Sequence, residues 1–289
     1  MNLFSGLEKF GLEAKESMQM FEEGKRENTK REREKEEKAK EKIIPSETEF
    51  LLQKTVRCKV CDSVFQTKVV KTGRARRMQP DKDLRPRFEH IDTLKYDVIS
   101  CPECGYTALT RDFDRITPTQ ARFVREQISS RFHKANEPET ETYSYDTAIA
   151  RCKLALLNAA VKRGKESEKA YACLKISWLC RGKAEAMGEG TPQEKAAKAA
   201  CKKEEETFYQ QAYEGFIKAI SQEMFPIYGM DEGTMDYLLA YMSFHFRKYE
   251  MASKCLGNVL TSHSASRRLK DMALDLKEEI IALLKSMKR

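Results

Sequence analysis

Two hydrophobic periods divide this chain. At its start, Leu3, Leu7, Phe10, Ala14, Met18 and Phe21 recur at intervals of three and four, the spacing of one helical face. Phe4 widens that stripe, while Gly6 and Gly11 weaken it. From about residue 54 to 115 the helical period is replaced by strand and loop patterns. Residues 63–70 are rich in β-branched side chains, with Phe65, Thr67 and Val69 on one face, and residues 96–100 form a second strand candidate. Beyond Arg115 the helical period returns. Thr117 precedes Pro118 as an N-cap, and Ala121, Val124, Ile128 and Phe132 follow at helical spacing. Helices are then expected over residues 145–162 and 166–187, ended by Gly164 and Gly188. A capping box, Thr191-Pro-Gln-Glu194, opens a helix to about residue 222. Three more are expected over residues 234–247, 250–261 and 266–287.

Between the amphipathic start and the strands, seventeen of the twenty-one residues from 22 to 42 are charged, nine positive and eight negative. Favourable i,i+4 pairs such as Glu22–Arg26 and Glu34–Lys38 suit a solvated helix or linker, which Pro45 ends. The cancelling charges argue against a nucleic-acid tail. Lys9 and Lys15 are offset by Glu8, Glu13 and Glu16, so the first segment is expected to pack on protein rather than on a membrane surface.

Charge and cysteine content sharpen the picture. The net charge is +8, and residues 54–90 alone carry eleven Lys/Arg against four Asp/Glu. The excess is therefore local. No run of eighteen apolar residues occurs, and the N-terminus has no basic region leading into an apolar stretch, so neither a membrane span nor a signal peptide is expected. The nine cysteines are an odd count, and five (Cys152, Cys173, Cys180, Cys201 and Cys255) sit in helical sequence. That usage suits a reducing compartment, read here as the cytoplasm.

The other four cysteines form two Cys-x-x-Cys pairs, Cys58/Cys61 and Cys101/Cys104, each between strand candidates. A tight turn lets both sulfurs of such a pair face one ion, and two pairs supply a tetrahedral set. Gly105 provides positive φ just past the second ligand; Asp62, which tolerates that geometry, holds the equivalent place in the first turn. Strand hairpins tipped by such turns are the architecture of a zinc ribbon. Four thiolates leave no open position, so the expected cofactor is one structural Zn²⁺. Iron is the alternative, since Cys-Pro-Glu-Cys-Gly-Tyr also resembles a rubredoxin turn. His90, in the polar loop, is expected at the surface rather than as a ligand.

The loop between the pairs is basic. Lys71, Arg74, Arg76, Arg77, Arg85 and Arg87 are candidate contacts to phosphate or nucleic acid, against the simpler expectation that they pair with acids of the chain such as Asp81, Asp83 and Asp92. Phe88 is the loop's one aromatic, too few for a base-stacking platform. Cys173 and Cys180, with Trp178, Tyr171 and Leu174, read as core. No glycine-rich phosphate loop, HExxH or G-x-S-x-G elbow occurs, and no catalytic residue is assigned. Successive helix pairs suggest tetratricopeptide-like stacking, with Leu239, Ala240, Ala252, Leu256 and Val259 at the offsets of that repeat.

The stretches Val56-Arg-Cys-Lys-Val-Cys61, Asp83-Leu-Arg-Pro-Arg-Phe88, Ile91-Asp92 and Tyr96-Asp-Val-Ile-Ser-Cys-Pro-Glu-Cys-Gly-Tyr106 resemble a bacterial family known as domain of unknown function 2225. The resemblance covers about residues 50–260. It implies the paired cysteine turns, with Cys58, Cys61, Cys101 and Cys104 as metal ligands, and tetratricopeptide-like helices. The first turn lacks the proline and glycine of a Cys-Pro-x-Cys-Gly form, and the family brings no activity with it. The expected chain is thus α+β but mostly α. It has a charged N-terminal helix or linker (1–45), a zinc-ribbon-like domain with a basic loop (46–116) and a helical repeat-like domain (117–289). The expected role is a non-enzymatic interaction scaffold whose helices take a protein or peptide partner. A nucleic-acid-associated protein using residues 68–87 and a thiol-based redox or metal sensor are the alternatives. Oligomeric state is left open by the sequence.

Overall fold

The computed structural model describes residues 44–134 and 140–287. The expected N-terminal helix and charged linker lie outside the described residues. Every described helix and strand lies within one unit that begins at Ser46.

That unit opens on a 3-10 turn, Glu47–Phe50, capped by Ser46 and Glu49 in a reciprocal capping box. Strand β1 (Leu51–Arg57) then pairs antiparallel with β2 (Val64–Val70), from Leu51 opposite Val70 to Arg57 opposite Val64. A second 3-10 turn, Thr93–Tyr96, takes Tyr96 from the strand expected over residues 96–100, which begins only at Val98. β3 (Val98–Ser100) follows and pairs with β4 (Thr107–Leu109). The two hairpins form separate two-stranded sheets. Such hairpins are marginal alone and need other surfaces to bury against. Side chains alternate across a strand, so β3 and β4 serve two cores at once. Val98 and Leu109 face the main helical core, while Ile99 and Ala108 face a smaller one with Val56, Tyr106, Phe113, Val124 and the cysteines.

Helix α1 (Pro118–Val124) starts at Thr117, whose side chain and Gln120 cap it reciprocally. The helix expected to continue past Ile128 instead changes hydrogen-bond pattern, passing into a π-turn over Arg125–Ser129. The remaining helices fall close to their expected ends: α2 (Tyr145–Val161), α3 (Glu166–Ala186), α4 (Pro192–Gln222), α5 (Glu232–His245), α6 (Tyr249–Thr261) and α7 (Arg267–Met287). Successive helices pack on one another: α2 on α3, α3 along α4, α5 on α6 and α6 on α7. Thirteen of the twenty-one residues of α3 are buried, which makes it the central helix rather than a surface one. α4 lies close against it because Gly215 faces Ala170, where an added Cβ would stand 2.8 Å from that side chain. Among the described residues no helix is long and apolar enough to cross a membrane.

The segment 46–116 is built into the helical body. Leu94, Val98 and Leu109 share one core with α2, α3 and α4, so no separate compact unit ends near residue 116.

Candidate metal centre

The two Cys-x-x-Cys turns are the tips of the two hairpins, and the hairpins bring the tips together. Asp62 N–H donates to Cys58 O (2.9 Å) and Gly105 N–H to Cys101 O (3.1 Å), closing equivalent turns. Each hairpin is pinned just outside its turn, by Cys58 N–H to Ser63 O (2.9 Å) and by Cys101 N–H to Tyr106 O (2.8 Å). Asp62 (φ 62°) and Gly105 (φ 71°) both adopt the left-handed geometry expected of them. Cys58 Sγ lies 3.6 Å from Cys104 Sγ, and Cys61 Sγ 3.6 Å from Cys101 Sγ. All four sulfurs fall within 4.8 Å of one another. Four thiolates about 2.3 Å from a tetrahedral ion would be about 3.8 Å apart, so the set can hold one metal ion. Cys58, Cys101 and Cys104 are buried and Cys61 is exposed.

The sulfur cluster carries an electrostatic conflict that a cation would relieve. Thiol hydrogen bonds from Cys104 and Cys58 hold the Cys101 thiol far below the ordinary range, at about 2. The same contact with Cys101 pushes the Cys58 thiol up to about 12 and Cys104 higher still. Four thiols this close share charge poorly on their own; a divalent ion favours the thiolate at every position.

Helices hold the turns in place. Arg125, at the start of the π-turn, donates from Nη1 to Val60 O in the first turn (2.8 Å). Buried Asn158 of α2 donates from Nδ2 to Gly105 O in the second (3.1 Å). Tyr106 Oη donates to Phe113 O (3.0 Å), closing the loop that leads to α1. Gly105 is also crowded: a Cβ there would overlap the Phe132 ring. Gly105→Ala therefore combines left-handed strain with a clash and should destabilise the protein by about 2–4 kcal/mol in urea unfolding. Gly257→Ala is its control. It lies within α6 with nothing within 4 Å of the new methyl, and should stabilise by about 0.5–1 kcal/mol.

The basic loop does not converge on the cysteines. Arg85 is 2% exposed and binds Asp92 (3.1 Å) and Glu185 of α3 (3.2 Å). The Arg85 guanidinium is thus enclosed and paired with two carboxylates of the chain. Arg87 binds Asp81 and Glu185, each at 2.7 Å. Its hydrogen bonds to Glu185 and Asp81 raise it above its ordinary range. Lys71 donates to Glu49 O (2.8 Å), while Arg74 and Arg76 make looser pairs with Glu49 (3.5 Å) and Glu89 (3.6 Å). Arg77 is exposed, and its backbone bridges to Phe88. His90 lies away from the sulfurs, beside Glu89 and Phe50.

Several positioning residues carry little sequence signal of their own. Asp83 is 1% exposed and accepts from Trp178 Nε1 (2.8 Å) and Arg181 Nη2 (2.8 Å), both on α3. Arg181 continues to Glu205 of α4 (2.7 Å). The loop between the cysteine pairs is thus fastened to the central helix by a buried ionic network. Lys175, also on α3, binds Asp97 just before β3. Cys173 and Cys180 are buried, as expected, and so are Cys152, Cys201 and Cys255; burial pushes the thiols of Cys152, Cys173 and Cys180 up to about 12.

Paired hairpins with a tetrathiol cluster, set into a mostly helical body, define the class of protein. Residues 51–280 match the model of a family described as uncharacterised proteins conserved in bacteria, DUF2225, and the chain belongs to that family. No curated protein and no solved structure matches the chain.

Proposed function

We propose that this protein is a non-enzymatic interaction scaffold stabilised by one structural Zn²⁺. The observation that carries this reading is the placement of four thiols within 4.8 Å of one another at the tips of two hairpins. Thiolate sulfur favours zinc among abundant divalent ions, and four protein ligands fill its tetrahedral shell, leaving no position for water or substrate. The ion would then hold the hairpins against α1 and α2 rather than take part in a reaction. The thiol that is exposed, Cys61, gives the sensor alternative its only foothold.

The helices are proposed to form a tetratricopeptide-like stack that receives a protein or peptide segment. Supporting this, Leu239, Ala240, Ala252, Leu256 and Val259 are all buried where α5 and α6 meet. Small residues there allow close approach, and the larger ones fill the gap. Four cysteines clustered for a metal and five buried in helices suit the proposed cytoplasmic setting. Crosslinked capture from cells tests the role. The wild-type chain should retain a defined set of proteins in stoichiometric amounts, and release them when Tyr249 and Met251, in the first turn of α6, become Glu. Recovery of no stoichiometric protein, or of the same set by the double variant, would contradict this assignment.

A further inference from the structure

The loop between the cysteine pairs spends most of its charge on the protein's own acids, yet the chain keeps another group of cations that does not. Lys59 sits at the exposed tip of the first cysteine turn. One residue on, Val60 O accepts from Arg125 Nη1 at 2.8 Å, which fixes that guanidinium beside the turn. Arg122 stands one helical turn before Arg125 on the same exposed face. Arg122 lies over the Phe123 ring at 5.7 Å, and Arg163, just beyond α2, lies over the same ring at 4.9 Å. Lys59, Arg125, Arg122 and Arg163 are all exposed, on the first hairpin tip, the π-turn, α1 and the residue past α2, and the contacts to Val60 and Phe123 bring these elements together as one basic arc.

The lack of close acidic partners marks these cations as a binding surface. Among the described residues, the ion pair on it is Arg122 with Glu126 at 3.8 Å, at the limit of contact. Arg163 takes the left-handed position that ends α2 (φ 55°), with Gly164 N–H donating to Ala159 O at 2.8 Å, and its guanidinium lies over Phe123.

We propose that the Lys59–Arg125–Arg122–Arg163 arc binds the phosphate backbone of a nucleic acid without base specificity. A protein partner would require an apolar centre ringed by polar groups. Here the central aromatic, Phe123, already carries two guanidinium groups, and cations surround it. Arginine forks match phosphate oxygens two at a time, and Arg125 keeps free N–H donors after its bond to Val60. This is a different surface from the helices proposed to take protein, and it differs from loop 68–87.

Fluorescence anisotropy with a labelled single-stranded oligonucleotide tests this, using the full chain. Wild type should bind saturably at low salt. Lys59→Glu/Arg122→Glu/Arg163→Glu should weaken binding at least about tenfold, and flatten the log affinity–log salt slope by about 2, from about 0.7 per lost phosphate contact. Arg74→Glu/Arg76→Glu/Arg77→Glu should stay within about twofold of wild type. Arg125 is left intact because it braces the cysteine turn. Should the triple arc variant fail to fold, Lys59→Gln/Arg122→Gln decides, with a loss of at least about threefold expected. The proposal is overturned if wild type shows no saturable binding, if the loop variant loses as much as the arc variant, if the glutamine pair binds like wild type, or if polyglutamate competes as well as unlabelled oligonucleotide.

Discussion

Cys104→Ser should cost the protein at least about 4 kcal/mol and release the hairpin tips from α1. Structural zinc contributes about 10–16 kcal/mol of apparent binding energy in small finger peptides, where it is nearly the whole folding energy. This chain has a helical core that the finger peptides lack, so part of the fold should survive the loss. The part that depends on the ion is defined by the smaller core. Cys58, Cys101 and Cys104 are themselves members of it, packed with Val56, Ile99, Tyr106, Phe113, Val124 and Ile128. Removing one ligand leaves three clustered thiols whose charges conflict. Hydrogen exchange should accelerate over residues 51–70 and 98–130 and stay slow in α3 and α4. Uniform protection across the whole chain in the serine variant would contradict this.

Asp83→Ala should be nearly as damaging, by about 3–5 kcal/mol, although it lies outside the cysteine cluster. Removing one member of a buried ion pair strands its partner in a low-dielectric site. Asp83 Oδ2 is the acceptor for Trp178 Nε1 and for Arg181, and its Oδ1 lies 3.4 Å from the Arg85 backbone nitrogen. Alanine leaves Trp178 Nε1 without its acceptor and removes the shortest of the carboxylate contacts to Arg181 Nη2, while Arg181 keeps Glu205 and Asp81. Asp83→Asn keeps an acceptor for Trp178 but removes the charge facing Arg181, and should cost about half as much. Trp178 is the chain's single tryptophan and is 3% exposed, so its emission reports on this contact directly. The alanine variant should show a red-shifted spectrum and an earlier urea midpoint. By contrast Arg76→Ala, whose pair with Glu89 is 83% and 41% exposed, should change stability by less than about 0.5 kcal/mol. Equal effects at Asp83 and Arg76 would show that the loop is not fastened as described.

These two sites differ in how far they could be read from sequence. The cysteine turns are local objects. Their spacing, the flanking strands and the left-handed residues at Asp62 and Gly105 lie within a few positions of each other, and each constrains the next. Two helix starts were legible for the same reason: Thr117 and Thr191 cap helices with their own side chains. The fastening of the loop is non-local. Asp83 and Trp178 are 95 residues apart, and Arg85 and Glu185 are 100 apart. A segment rich in arginine and aspartate looks solvated unless its partners are known. The usable signals were the interleaved charges of Asp81, Asp83, Arg85 and Arg87 and the need of a core tryptophan for an acceptor. Neither names the partner. The π-turn at Arg125 was also invisible, because its helical face continues through Ile128 with ordinary spacing; what it accompanies is the reach of Arg125 to Val60.

The central claim is that four cysteines close around one ion and hold two hairpins on a helical body. Elemental analysis combined with thiol titration of the native protein tests it most directly. The account predicts one zinc per chain, with Cys58, Cys61, Cys101 and Cys104 unreactive until a chelator is added and then reactive together. Protein free of bound metal, with those four thiols reactive from the outset while the hairpins remain protected from exchange, would contradict it.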